Sequence, residues 1–176
     1  TNANNSGAGS LRQAIINANL SSDPSEIHFN ISGGCPRVIS PTSPLPALFT
    51  PTSILGYSQS GSARNESQYA FDGTLCIALN GAGMLANGLA FLTGSDETMV
   101  VEGIAFYGFT SEAVLISGGG RGNVRGNAFG TGAAGLIAQG FDDAAIRVQS
   151  APGSLIGGVD AAERNVISRA AQAGIR

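Results

Sequence analysis

VEGIAF at 101–106 and VRGNAF at 124–129 share Val, Gly, Ala and Phe at four of six positions, and Gly103 lies 23 residues before Gly126. The flanking segments shift with them, since GLAFL (88–92) corresponds to AVLIS (113–117) 25 residues on. AAIRV (144–148) and AGIR (173–176) extend the second series, and LIGG (155–158) and NVIS (165–168) extend the first. The later spacings are longer, and GTGAAGLIAQGFDD and GVDAAE read as the insertions responsible. A period of 23–25 residues carrying several short strands marks a solenoid, in which like residues stack on like at the strand spacing of about 4.8 Å. The prediction is concrete: Phe106 lies against Phe129 inside, and Glu102 lies beside Arg125 outside.

The rest of the chain fits short strands. EIHFNI (26–31) alternates, with Ile27, Phe29 and Ile31 on one face; RVIS, TSILGY, CIALNG, GLAFL, MVVEGIAF, AVLIS, NVRGNAF, AAIRV, SLIGG and NVIS follow, separated by turn residues. One segment differs. Ser10 and Gln13 form a capping box, and Leu11, Ala14, Ile15 and Ala18 fall at i, i+3, i+4 and i+7, which predicts an amphipathic helix over 10–20. Its role is to cover the open first turn of the solenoid, whose unpaired N–H and C=O groups would otherwise recruit another chain. The fold expected is all-β: a parallel β-helix with a short N-terminal capping helix, one domain over 1–176, with 1–25 as cap region and 26–176 as coils. An antiparallel β-sandwich is the second choice.

Composition narrows the partners. Nine Lys plus Arg, all of them Arg, face twelve Asp plus Glu, for a net charge of −3. A clustered basic surface is absent from this balance, which argues against nucleic acid and anionic membrane. Charged residues make up 12%, about half the usual share, whereas the 26 Gly are about twice theirs, as coil corners with positive φ require. Residues 73–95 carry no charge over 23 positions, but five Gly, Asn80, Asn87 and Thr93 divide them into two apolar bursts. Two buried strands are expected there, not a membrane helix. The polar opening TNANNSGAGS reads as a processed end, and AGIR stops where a strand begins, so a longer native protein is expected.

GAGSLRQAIINAN resembles the GSLREAI-type segment that opens many bacterial exported proteins with right-handed parallel β-helix repeats. TSPLPALFTPTSILGYSQSG, CIALNGAG, NGLAFL, GNVRGNAFGT and LIGGVDAAERNVIS are similar to later stretches of that family, so the resemblance runs through nearly the whole chain. It implies a right-handed β-helix and a secreted or cell-surface location, commonly as part of a larger protein. Gln13 stands where the family usually has Glu, no cysteine precedes Gly9, and Ala78 replaces an acid.

Cys35 and Cys76 fit neither a metal spacing nor a CxxC motif. They are either a disulfide between neighbouring strands, contributing roughly 4 kcal/mol by chain entropy, or two buried thiols. An exported protein favours the first.

The candidate catalytic groups are few. Asp142-Asp143 is superficially like the paired aspartates of polygalacturonases, but the sole histidine is His28 and the accompanying Gly-His-Gly and Arg-Ile-Lys segments are missing. The pair reads as an acidic turn. Pectate-lyase-type elimination uses carboxylate-bound calcium and an arginine base; Asp96, Glu97, Glu102 and Glu112 are the acids and Arg125 the base to consider. Glu102–Arg125 reads more simply as a surface ion pair worth ~0–1 kcal/mol. His28 alternates with inward Ile27 and Phe29 and has no catalytic partner, and GGGRG (118–122) is a corner lacking the Lys-Ser/Thr of a phosphate loop. Tyr107, opposite in parity to Phe106, is expected outside, where it could stack on a sugar. The function expected is a non-enzymatic extracellular scaffold or adhesin-like module, without cofactor or metal, that binds polysaccharide or a cell-surface partner, with self-association through an exposed end of the stack. The alternative is a polysaccharide lyase or glycoside hydrolase, for which alone Ca2+ is expected.

Overall fold

The computed structural model describes residues 1–94, 97–132 and 139–176. Asp96 and the middle of the GTGAAGLIAQGFDD insertion lie outside the described residues. The chain is mostly β, with one short helix, α1 (Leu11–Asn19). Its strands are β1 (Ser25–His28), β2 (Arg37–Ile39), β3 (Thr52–Leu55), β4 (Ile77–Asn80), β5 (Leu89–Phe91), β6 (Thr98–Glu102) and β7 (Ile104–Tyr107). The second half adds β8 (Val114–Ser117), β9 (Arg121–Arg125), β10 (Ala128–Phe129), β11 (Ala144–Gln149), β12 (Leu155–Ile156), β13 (Val166–Ile167) and β14 (Ala173–Ile175).

These strands form three parallel sheets. The first has the order β1-β3-β6-β9-β12, the second β2-β4-β7-β10-β13 and the third β5-β8-β11-β14. The chain visits the sheets in rotation, and Leu48, bridged in parallel to Phe91, takes the place of a third-sheet strand in the first round. All named strand pairs are parallel, which overturns the antiparallel sandwich, and sequential named strands go to different sheets; an isolated antiparallel bridge, Ala63–Thr74, lies outside the sheets between β3 and β4.

The register follows the sequence repeat. Val101 pairs with Val124 and Glu102 with Arg125, Leu89 with Val114, and Ala144 with Ala173. Phe106 pairs with Phe129, and the two buried rings stack 5.1 Å apart at 7°. Alternate residues from all three sheets, among them Ile54, Val101, Leu79, Phe106, Phe91 and Ile146, meet in one apolar core. The uncharged 73–95 stretch supplies β4 and β5, and among the described residues no helix is long and apolar enough to cross a membrane.

Helix α1 closes the core at β1 by burying Leu11, Ile15 and Ala18. Ser10 caps it by accepting from the Gln13 N–H at 3.2 Å. The other half of the expected capping box is not formed, because the Gln13 amide donates to Asn17 Oδ1 one turn on. Asn19 fixes the far end, donating to the Ala47 carbonyl at 2.7 Å and accepting from the Phe49 N–H at 2.9 Å. The helix thereby grips the two residues that flank Leu48.

The sequence reading did not anticipate the connection between β3 and β4, residues 56–76. It leaves the second round and runs along the outside of the second sheet as a strap. Asn65 donates to the Ala161 carbonyl at 2.8 Å, and Arg164 reaches the Gln68 and Ala70 carbonyls, so the strap touches the fifth round. Phe71 and Leu75 from the strap, with Tyr57 at its start, cover outward Ala78, Ala105, Tyr107 and Ala128 in a second apolar cluster.

Candidate functional site

Two charged clusters and two grooves hold the chemistry-bearing residues. The first cluster sits where the first sheet turns into the second. Glu102 and Arg125 are register partners, and the Arg125 Nε lies 3.1 Å from Glu102 Oε2. The expectation of a surface pair is corrected, since the Glu102 side chain is only 5% exposed. Its other oxygen accepts from Arg64 at 2.5 Å, a strap residue that local patterning could not connect with Glu102. Arg64 lies over the Tyr57 ring, 4.5 Å from its centroid, and Arg125 also reaches Glu163 at 3.4 Å. The hydrogen bond to Glu102 raises the Arg64 pKa further. Burial pushes the Tyr57 hydroxyl up to about 12, so it stays a neutral donor.

An asparagine ladder lies beside this cluster. Buried Asn127 accepts from the Ile104 N–H at 3.0 Å and donates to the Val101 carbonyl, and Asn165 in the next round accepts from the Asn127 N–H at 3.0 Å. The side chains stand in for the strand ladder where the backbone turns. The Asn recurring in RGNAF and ERNVIS is the available signal; the sequence reading places both residues within strand segments and gives them no role.

The second cluster lies on the third sheet. Glu112, also 5% exposed, pairs with Arg147 and accepts from the Ser111 hydroxyl at 2.5 Å. Asp143 pairs with Arg147 and, at 3.1 Å, with Arg176. Asp142 is adjacent in sequence but exposed, and among the described residues Asp143 alone of the two joins the ion pairs. Glu97 directly precedes β6, the strand that ends at Glu102, and Glu112 pairs with Arg147 in the second cluster. Among the described residues no group of three His, Cys, Asp or Glu side chains is placed to hold a metal ion.

His28 points outward, with Nε2 2.8 Å from Glu26. Gly118 and Gly119 of GGGRG have φ of +91° and +96°, the corner conformation expected of them. Tyr107 differs from its expectation: it faces outward from its strand but is 3% exposed, because the strap's cluster covers it. Burial raises its pKa, and its ring offers no open face for stacking.

Cys35 and Cys76 form a disulfide that joins the segments just before β2 and β4. Beside it, between strap and second sheet, lies a groove of about 450 Å³ lined by Pro36, Phe71, Leu75, Ala128 and Val166. Among the described residues no charged side chain lines it. A second groove, at the corner between the second and third sheets, is lined by Asp142 and Arg169.

No family model, curated protein or solved structure matches this chain.

Proposed function

We propose that the chain is a right-handed parallel β-helix acting outside the cytoplasm as a non-enzymatic scaffold, its outer surface binding polysaccharide or a partner protein. Three parallel sheets visited in rotation support the winding, and parallel crossovers are right-handed in nearly all known cases. The Cys35–Cys76 disulfide supports an oxidising compartment.

One observation carries the non-enzymatic reading. The carboxylates that could serve as acid, base or cation ligand at the two clusters are already neutralised by arginine: Glu102 by Arg64 and Arg125, Glu112 by Arg147, and Asp143 by Arg147 and Arg176. The oxygens and guanidinium nitrogens of these pairs are engaged with one another rather than turned to a substrate or cation. These groups tie neighbouring rounds together.

Glycan-array and cell-surface binding measurements test this reading, run beside turnover assays on acidic and neutral polysaccharides with and without calcium. Binding without turnover is expected. Turnover that disappears in Arg125→Ala would replace the scaffold by a lyase or hydrolase.

A further inference from the structure

At the corner between the second and third sheets, one position recurs from round to round. Gly81 and Gly108 continue the register of Asn80 and Tyr107. Phe109 bridges Phe141, and Phe141 bridges Ala170, so Gly140 lies beside Gly108 and Arg169 beside Gly140. The column therefore reads Gly81, Gly108, Gly140, Arg169. Close stacking demands glycine in the upper rounds: a Cβ on Gly81 would lie 2.4 Å from the Gly108 carbonyl oxygen, and one on Gly140 would lie 1.9 Å from that of Arg169.

Arg169 breaks the pattern at a cost. Its φ is +58°, in the left-handed region that Gly108 occupies at +70°. Glycine takes that conformation freely and arginine does not. A long cationic side chain is thus held on strained backbone where glycine would serve the fold better, and strain of this kind clusters at functional sites.

Arg169 and Asp142, both exposed, line the same groove, about 400 Å³ in volume, together with Gly108, Thr110 and Gly140, while the stacked rings of Phe109 and Phe141 are buried in the core behind it. Among the described residues neither the Arg169 guanidinium nor the Asp142 carboxylate has an ion-pair or hydrogen-bond partner, in contrast to Asp143 next door. The groove thus combines a fork of donors, a pair of acceptor oxygens and a hydroxyl. Two planar bidentate groups of opposite sign suit vicinal hydroxyls, and their cancelling charge favours no ionic ligand.

We infer that this groove is a binding site for a neutral saccharide unit, with Arg169 and Asp142 as its hydrogen-bonding pair. The inference rests on the reading of the surface as polysaccharide-binding and assigns that binding to one place.

The test is calorimetric titration of the whole chain with soluble cello-, xylo- and malto-oligosaccharides and with oligogalacturonides, for wild type, Arg169→Gly and Asp142→Asn. Arg169→Gly removes the guanidinium and also relieves the backbone, so its melting temperature should equal or exceed that of wild type while a neutral saccharide binds at least about tenfold more weakly. Asp142→Asn, which keeps the shape but loses an acceptor, should weaken the same ligand by a smaller factor. Wild-type binding that both variants retain would overturn the site and leave the polysaccharide reading standing. A lower melting temperature for Arg169→Gly would make Arg169 structural, and stronger binding of the oligogalacturonides would overturn the neutral ligand. Failure of wild type to bind any of these saccharides would overturn both the site and the polysaccharide reading.

Discussion

The Tyr57 hydroxyl donates a 2.7 Å hydrogen bond to the carbonyl of Gly126, 69 residues away and two rounds further along the stack. Its ring lies across Gly103, the residue between them in the column, and beneath the Arg64 guanidinium. One side chain thus ties three rounds together at the corner where the buried Glu102 sits. Tyr57→Phe should lower stability by about 1 kcal/mol, the usual worth of one such bond, measured by denaturant unfolding.

The same contact sets an alkaline limit. Burial raises the folded-state pKa of Tyr57 from 10.0 to about 12, so the folded state favours the neutral phenol. A raised pKa means that the stabilisation is fully present below pH 10 and is lost as pH rises through about 12. Wild type should lose stability over that window more steeply than Tyr57→Phe, and a tyrosinate absorbance titration of the two should place the missing ionisation near its upper end.

Gly103→Ala should be more damaging than Tyr57→Phe. Gly103 has φ +73°, and a Cβ there would lie 2.6 Å from the Tyr57 nitrogen and 2.7 Å from its ring. The left-handed backbone alone costs about 1–3 kcal/mol for a residue with a side chain, and the clash adds to it. A large fall in melting temperature with the parallel-strand circular dichroism retained at low temperature is the expected result; an unchanged melting temperature would contradict the stacking of Tyr57 on this corner.

Glu102→Gln should cost about 1.5–3 kcal/mol, since it removes charge-assisted bonds to two arginines from a buried position. Arg64→Ala and Arg125→Ala should each cost less, because either guanidinium still satisfies the carboxylate. The double variant should cost more than the sum, which a double-mutant cycle reads directly.

Reduction of Cys35–Cys76, or replacement of both by Ser, frees a loop with a sequence separation of 41. The chain-entropy model gives a loss of about 4 kcal/mol. Thermal unfolding with and without reductant should show a drop for wild type and none for the double Ser variant.

The stack of strands was readable in the sequence because neighbouring rounds repeat the same local problem. Val101 and Val124 both fill the core, Phe106 and Phe129 stack, and a glycine stands between each pair, so the chemistry recurs at the spacing of one circuit. Alternation within a strand was equally readable, and it correctly sends Phe106 inward and Tyr107 outward. It could not show that outward differs from exposed at Tyr107, because the cover comes from Phe71 and Leu75 on a strap that repeats nothing.

The candidate sites divide the same way. Glu102 beside Arg125 is a relation between rounds and follows from the period. Arg64 on the same carboxylate depends on where the strap runs, as do Asn65 against Ala161 and Arg164 against Gln68, and no period links those pairs. Arg169 was passed over because nothing local marks an arginine as standing in a glycine column; the register had to be known first.

Periodic burial of apolar side chains, a short-range property, was enough for the sequence to determine stacked parallel strands, their inward faces and, from Leu89 onward, the partners of the repeated segments. The path of the irregular strap, the burial of Glu102, Glu112 and Tyr107, and the company of Asp142 were decided only in three dimensions. Those depend on contacts between segments as many as 96 residues apart, whose meeting no local pattern encodes.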